Sequence, residues 1–203
     1  MSIRKFAAAT ALLGASLCSH AAVTVFSDNF DADQTTNNAT RFVHGWTVSD
    51  GTVDVDGTGF VHNEMPGNGH YVDLDGSTKR AGVLSNSFTA GAWGLYTLSF
   101  DLAGNQRNWG SDTVEVTFGT TRQTFVIGQS DPITTRTLTF TPTTTGVYGF
   151  SFHNLGGDNR GAFLHQVTIS AVPETDTYAM LLAGLACVGL VAGRRKRQDR
   201  PFR

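Results

Sequence analysis

Four aspartates of this 203-residue chain fall into two pairs, Asp54 with Asp56 and Asp73 with Asp75. On an extended strand, residues two apart project to one side about 7 Å from each other. That is near the separation at which a carboxylic acid and a carboxylate together hydrolyse a glycosidic bond. Calcium is the other chemistry that fits, because it accepts irregular sets of oxygen ligands, and Asp73 with Asp75 is the pair that would supply them as a structural metal site. No Asp-x-Asp-x-Asp-Gly loop occurs. A simpler arrangement needs no chemistry, and it is the one expected: Val53, Val55, Val72 and Leu74 turn to a core and leave the four carboxylates on a solvated outer face.

Sugar recognition is the second chemistry. In Gly104-Asn105-Gln106-Arg107-Asn108-Trp109-Gly110, amide, guanidinium and indole groups crowd into one loop. An aromatic face stacks on the C–H side of a sugar ring, while amides and arginine bond its hydroxyls in plane. Asn105, Arg107, Asn108 and Trp109 are therefore the candidate ligand-binding residues, unless Trp109 folds onto the edge of the domain and the loop is a plain turn. His153 to Arg160 forms a second polar loop without an aromatic. His44, His62, His70, His153 and His165 show no zinc-ligand spacing. His165 alternates with Phe163, Val167 and Ile169, which predicts a hydrogen-bonded core residue. Gly-x-Ser-x-Gly elbows and phosphate-cradling loops are both missing, so no catalytic residue and no cofactor other than calcium is expected.

These residues are carried by short β-type runs between Gly, Asn, Asp and Pro. The pattern predicts eleven strands, at 23–30, 45–48, 52–56, 70–74, 82–88, 95–102, 113–118, 123–127, 136–140, 147–152 and 162–170. Tyr96, Leu98, Phe100 and Leu102 share one face; Val114, Val116 and Phe118 share a second; Tyr148, Phe150 and Phe152 share a third. Near-regular spacing of short strands predicts an all-β antiparallel β-sandwich of the jelly-roll kind, with 31–44, 63–69 and 103–111 as its long loops.

Two terminal segments frame this domain. Residues 1–21 contain Arg4 and Lys5, an apolar stretch and Ser19-His20-Ala21, which reads as a signal peptide for the Sec translocon and signal peptidase. At the other end, Tyr178 to Gly193 is uncharged and apolar, and Arg194-Arg195-Lys196-Arg197 follows directly. A transmembrane helix is expected over about 177–193, with the basic C-terminus on the cytoplasmic side of the inner membrane. Between these segments, a domain over 22–171 keeps 7 of the 15 basic and 14 of the 17 acidic residues, a charge of about −7. Such a domain does not bind nucleic acid by neutralising phosphates. Both cysteines, Cys18 and Cys187, lie in the terminal segments, so the domain has neither disulfide nor thiolate.

Val172-Pro173-Glu174, a polar spacer, an apolar span and an arginine cluster together resemble the PEP-CTERM sorting tail, here over residues 172–203. The resemblance implies transient membrane insertion, recognition by an exosortase-type transpeptidase near Val172, Pro173 and Glu174, and delivery to the cell surface or medium. Thr175 stands where that family usually has a second proline. Within the domain, Asp28-Asn29-Phe30, Gly69 to Gly76, Tyr96 to Asn105 and Phe163 to Val167 resemble galactose-binding-like sandwiches. Many of these are carbohydrate-binding modules, some with a structural calcium ion. His165-Gln166 replaces that family's usual Asp-Asn. The combined expectation is an exported, non-catalytic domain that associates with extracellular polysaccharide. The alternatives are a small glycosidase or lyase using the aspartate pairs, and a purely structural matrix component.

Overall fold

The computed structural model describes residues 22–172, together with Gly184–Ala186 and Val188. Eleven strands form, one at each expected run: β1 Val23–Asp28, β2 Thr47–Ser49, β3 Asp54–Gly57, β4 His70–Asp73, β5 Val83–Ala90, β6 Leu95–Ala103, β7 Asp112–Phe118, β8 Thr121–Ile127, β9 Thr134–Phe140, β10 Gly146–Asn154 and β11 Phe163–Val172. One sheet has the order β3-β4-β11-β6-β9, with β1 also paired to β11; the other runs β2-β5-β10-β7-β8. Every strand pairing is antiparallel. From β4 onward the chain crosses between the sheets at each step except the β7–β8 hairpin, and the two antiparallel sheets form the expected sandwich.

The alternating faces supply the core. Leu98, Phe100 and Leu102 of β6 meet Val114, Val116 and Phe118 of β7 and Phe150 and Phe152 of β10, all at most 1% exposed. Edge-to-face aromatic contacts tie the layers, with Phe100–Phe152 and Phe26–Phe150 both at 5.2 Å between centroids. Asp28 is buried at the rim of this core, where its carboxylate accepts bonds from the Trp46 indole at 2.7 Å and the Phe30 amide at 2.9 Å.

One expected face is wrong. The β11 register shifts between Leu164 and Val167, and the bulge reverses the side to which residues before it point. Leu164, Val167 and Ile169 enter the main core, whereas Phe163 packs outside the sheet with Tyr71 and Ala103 in a small second core. His165 is buried beside them, 5.0 Å from the Tyr71 ring, with Nε2 3.3 Å from the Met65 sulfur. It is a core residue, but of this second core.

The strands divide the loops between two ends. Val23 pairs with Ala171 and Val172 with Leu95, so both termini of the sandwich leave at the end that also bears Trp93. Loops 104–111 and 155–162 lie at the opposite end, and loop 58–69, which leaves the other end of the β3–β4 hairpin, folds back to bring Glu64 to Arg107. Val172 ends β11, while Pro173 and Glu174, the signal peptide, and the expected membrane span apart from Gly184–Ala186 and Val188 lie outside the described residues. Among the described residues no helix is long and apolar enough to cross a membrane.

Candidate functional site

The paired aspartates lie on the outer face of β3 and β4, as alternation with Val53, Val55, Val72 and Leu74 dictates. That face is not solvated, however: Asp54 is 7% exposed, Asp56 and Asp73 1%, and Asp75 0%. The long loops fold over it, and the carboxylates hold those loops in place. Asp54 accepts bonds from the Asn38 amide at 2.7 Å, the Ser77 amide at 3.0 Å and the Ser77 hydroxyl at 2.6 Å. Asp73 Oδ1 accepts from the amides of Asp75 at 3.0 Å and Gly161 at 2.8 Å; Asp75 Oδ2 accepts from the Asp158 amide at 3.1 Å. Gly161 fits only because it is glycine, since a Cβ there would come within 2.4 Å of the Asp75 nitrogen.

Directly opposed like charges destabilise a ladder, and here Asp54 faces Asp73 across it. Arg107 supplies the compensation. Its Nη1 donates to Asp73 Oδ2 at 2.5 Å, Nη2 to Asp56 Oδ2 at 3.2 Å and Nε to Glu64 Oε1 at 3.3 Å, and its guanidinium carbon lies 5.1 Å from the Phe163 ring centre. Left-handed backbone at Gln106 and Asn108, φ 55° and 60°, brackets Arg107 and turns it inward while Trp109 turns out. Asn105 is buried and donates to Asp112 Oδ2 at 3.0 Å and the Gly110 carbonyl at 3.2 Å, and its Oδ1 accepts from the Arg107 amide at 3.0 Å. Asn108 Oδ1 accepts from Gln129 Nε2 at 2.8 Å. Three of the four candidate ligand residues therefore organise the loop. Trp109 alone faces outward, 57% exposed rather than folded onto the edge, and the Arg160 guanidinium covers part of its ring at 4.5 Å from the centre.

Sequence reasoning missed the convergence of both polar loops on one pocket of about 200 Å³, lined by Asp56, His62, Glu64, Arg107, Asn159 and Arg160. No signal in the sequence pairs Arg107 with β3 and β4, which lie 51 and 34 residues away. Asp56 Oδ1 and Asn159 Oδ1 are buried there without a hydrogen bond.

Burial pushes the Asp56 carboxyl up to about 7, with Arg107 pulling it down and Asp54 and Glu64 adding to the rise. Burial likewise carries Asp73 up to about 8, against Arg107 and the Asp75 and Gly161 amides. It carries Asp112 up to about 6, against the side-chain amides of Asn105 and Asn154. Burial opposes the charge on Arg107, but Asp73 and Asp56 outweigh it and raise its value further. The two sides of the Arg107–Asp73 contact thus point in opposite senses. A 2.5 Å bond from a guanidinium, which does not deprotonate, decides for an ionised pair.

A pH dependence follows. Asp56 and Asp112 have folded values above the ordinary 3.8, so the native state binds more protons than the unfolded chain between about pH 4 and 7, and stability falls as pH rises through that window. His165, lowered by burial, acts in the opposite sense below its ordinary 6.5. Burial raises Asp33 and Asp75 as well, so the carboxylates outweigh the single histidine. Melting temperature measured by circular dichroism should rise from about pH 8 to about pH 5; a maximum at pH 8 contradicts the assignment.

The geometry bears on both chemistries first suggested for the aspartates. Asp54 and Asp73 have their oxygens committed to amide, hydroxyl and guanidinium donors, which leaves no hydrolytic pair facing a substrate. Those same donors at Asp73 do not fit a calcium ligand, while Asp75 Oδ1 is buried without a partner. Among the described residues no group of three or more His, Cys, Asp or Glu side chains is placed to hold a metal. The full chain should melt at the same temperature in EDTA and in calcium, since an ion bound only by the native state would raise it. A drop of several degrees in EDTA would put an ion at Asp75.

Compared with solved structures, the sandwich is similar to the CBM22-1 xylan-binding domain of Xyn10C from Paenibacillus barcinonensis, with 13% identity and a TM-score of 0.52 over 77% of this chain and 99% of that one. The chain shares the β-sandwich fold of that domain. Similarity also extends to a CBM35 from Paenibacillus barcinonensis, 16% identical with a TM-score of 0.39 over 67% of this chain and 97% of that one. The CBM22-1–GH10 modules of Clostridium thermocellum Xyn10B are 17% identical, with a TM-score of 0.44 over 75% of this chain and 29% of that one. No family model and no curated protein matches the chain.

Proposed function

We propose that this chain is an exported, non-catalytic protein whose sandwich binds extracellular polysaccharide through the loop end, after an exosortase-type transpeptidase has processed its tail. The observation that carries the binding part is the exposed indole of Trp109, which shares Arg160 with a polar pocket where two loops converge. A flat apolar face next to fixed acceptors and an arginine is what a sugar ring needs. The carbohydrate-binding-module fold supports this reading, and so does the commitment of the paired aspartates to loop anchoring rather than to a cleft. Export rests on the signal peptide and tail read in the sequence. The topology is compatible with it, because the chain leaves the sandwich at Val172, at the end away from Trp109.

The test is made on cells that produce the protein. Washed matrix should retain it, and mass spectrometry of that fraction should find its C-terminus near Pro173-Glu174. Absence from the matrix removes the binding part; an intact Arg203 on released protein removes the sorting part.

A further inference from the structure

The end of the sandwich from which the chain leaves has a composition of its own. Residues 22–24, 89–96, 140–147 and 170–172 come together there, and none of them is charged or bears a side-chain amide. Signal-peptide removal would add only an α-ammonium. The charge of this acidic domain lies elsewhere, and Val23, Trp93, Leu95, Val147 and Val172 are exposed at this end instead. Leu95 pairs with Val172, and the loop that carries Trp93 caps the sandwich just past that pair. Trp93 has left-handed backbone, φ 66°, which a bulky residue adopts only where its surroundings impose it. They do so here: the Trp93 amide donates to the Pro142 carbonyl at 2.7 Å, the Ala92 amide to the Thr145 hydroxyl at 3.1 Å and the Gly91 amide to the Tyr96 hydroxyl at 2.8 Å. The loop is tied down, yet its indole belongs to neither core.

Chain length says what this end faces. Five residues, Pro173 to Thr177, separate Val172 from the apolar run that begins at Tyr178. Those steps reach roughly 20 Å when fully extended, and headgroups occupy about 5–8 Å of that distance. With the tail inserted, Val172 therefore lies within about 15 Å of the headgroup layer, and the Trp93 loop next to it. A tether this short gives a high effective concentration, so a weak apolar contact is enough. We infer that this end rests on the bilayer surface while the tail spans it, with the Trp93 indole among the headgroups. This goes beyond polysaccharide binding and rests on the membrane-spanning tail of the proposed function. An indole suits that layer because one end of it is apolar and the other bonds water. The uncharged end meets anionic lipid without the repulsion that the acidic remainder would bring. Sugar suits Trp93 less, since no amide or guanidinium flanks it. A second copy has no tether to hold it there. Docking keeps Pro173-Glu174 at the bilayer surface, where a membrane-embedded transpeptidase works.

The full chain is reconstituted into vesicles of phosphatidylethanolamine and phosphatidylglycerol, with or without bromine high on the acyl chains, and its tryptophan emission is compared. Flotation after an alkaline wash reports insertion. Bromine should dim the unaltered chain and Trp109→Phe by about one indole's emission, of the three that the chain contains, and should leave Trp93→Phe unchanged. Dimming that persists in Trp93→Phe, or no dimming of an inserted chain, overturns the docking inference and leaves the tail standing. Trp93 shielded from iodide but not dimmed by bromine assigns this end to a second copy and also overturns it. A chain that does not float with the vesicles removes the membrane-spanning tail, and the inference with it. Polysaccharide binding through Trp109 is untouched by each of these results.

Discussion

Arg107→Ala is expected to cost about 3–5 kcal/mol at neutral pH, because removing one partner of a buried ion pair leaves the other charge uncompensated. Here two buried aspartates, Asp56 and Asp73, lose at once the cationic partner they share, and Glu64 loses it too. Native domains have only about 5–15 kcal/mol in hand, so the variant should unfold at much lower denaturant with an unchanged slope. Two controls separate charge from packing. Arg107→Lys keeps the charge but not the planar fork that spans three carboxylates, and should recover only part of the loss. Adding Asp56→Asn to Arg107→Ala should restore stability, since it removes one orphaned charge from a coupled pair. A loss below about 1 kcal/mol would be the value of an exposed salt bridge and would contradict the buried network.

The fold was largely readable in the sequence because its period is local. Eleven runs became eleven strands, and the stripes Leu98-Phe100-Leu102 and Val114-Val116-Phe118 point where alternation puts them. Alternation failed at β11, where the bulge between Leu164 and Val167 moved Phe163 out of the main core and His165 with it. Period also says which face Asp54, Asp56, Asp73 and Asp75 occupy, but not whether loops cover that face; that depends on contacts such as Gly161 to Asp73, 88 residues apart. In the loop 104–110 composition was informative and roles were not. Amide and guanidinium groups suit a sugar, yet they equally suit an internal brace, and Asn105 and Arg107 serve as that brace. Trp109 differs because the backbone on either side of it turns the indole outward.

Two exposed indoles make the central claim testable within one molecule. Trp109 follows β6 at its far end, and Trp93 precedes it at the end where Val172 leaves the sandwich, with 68% of the residue exposed. The nine residues of β6 set the two ends about 30 Å apart, so one ligand site cannot use both. An aromatic anchor that a ligand covers typically carries about 2 kcal/mol or more, roughly a thirty-fold change in affinity. An exposed indole elsewhere on the surface carries none of it.

The deciding measurement is therefore the affinity of three full-length proteins, the unaltered chain, Trp109→Ala and Trp93→Ala, for whichever polysaccharide of a broad panel the unaltered chain retains best. Trp109→Ala should weaken binding about thirty-fold or more while its melting temperature stays put, and Trp93→Ala should bind as the unaltered chain does. Equal affinity in all three, a loss confined to Trp93→Ala, or no retention of the unaltered chain anywhere on the panel would contradict it.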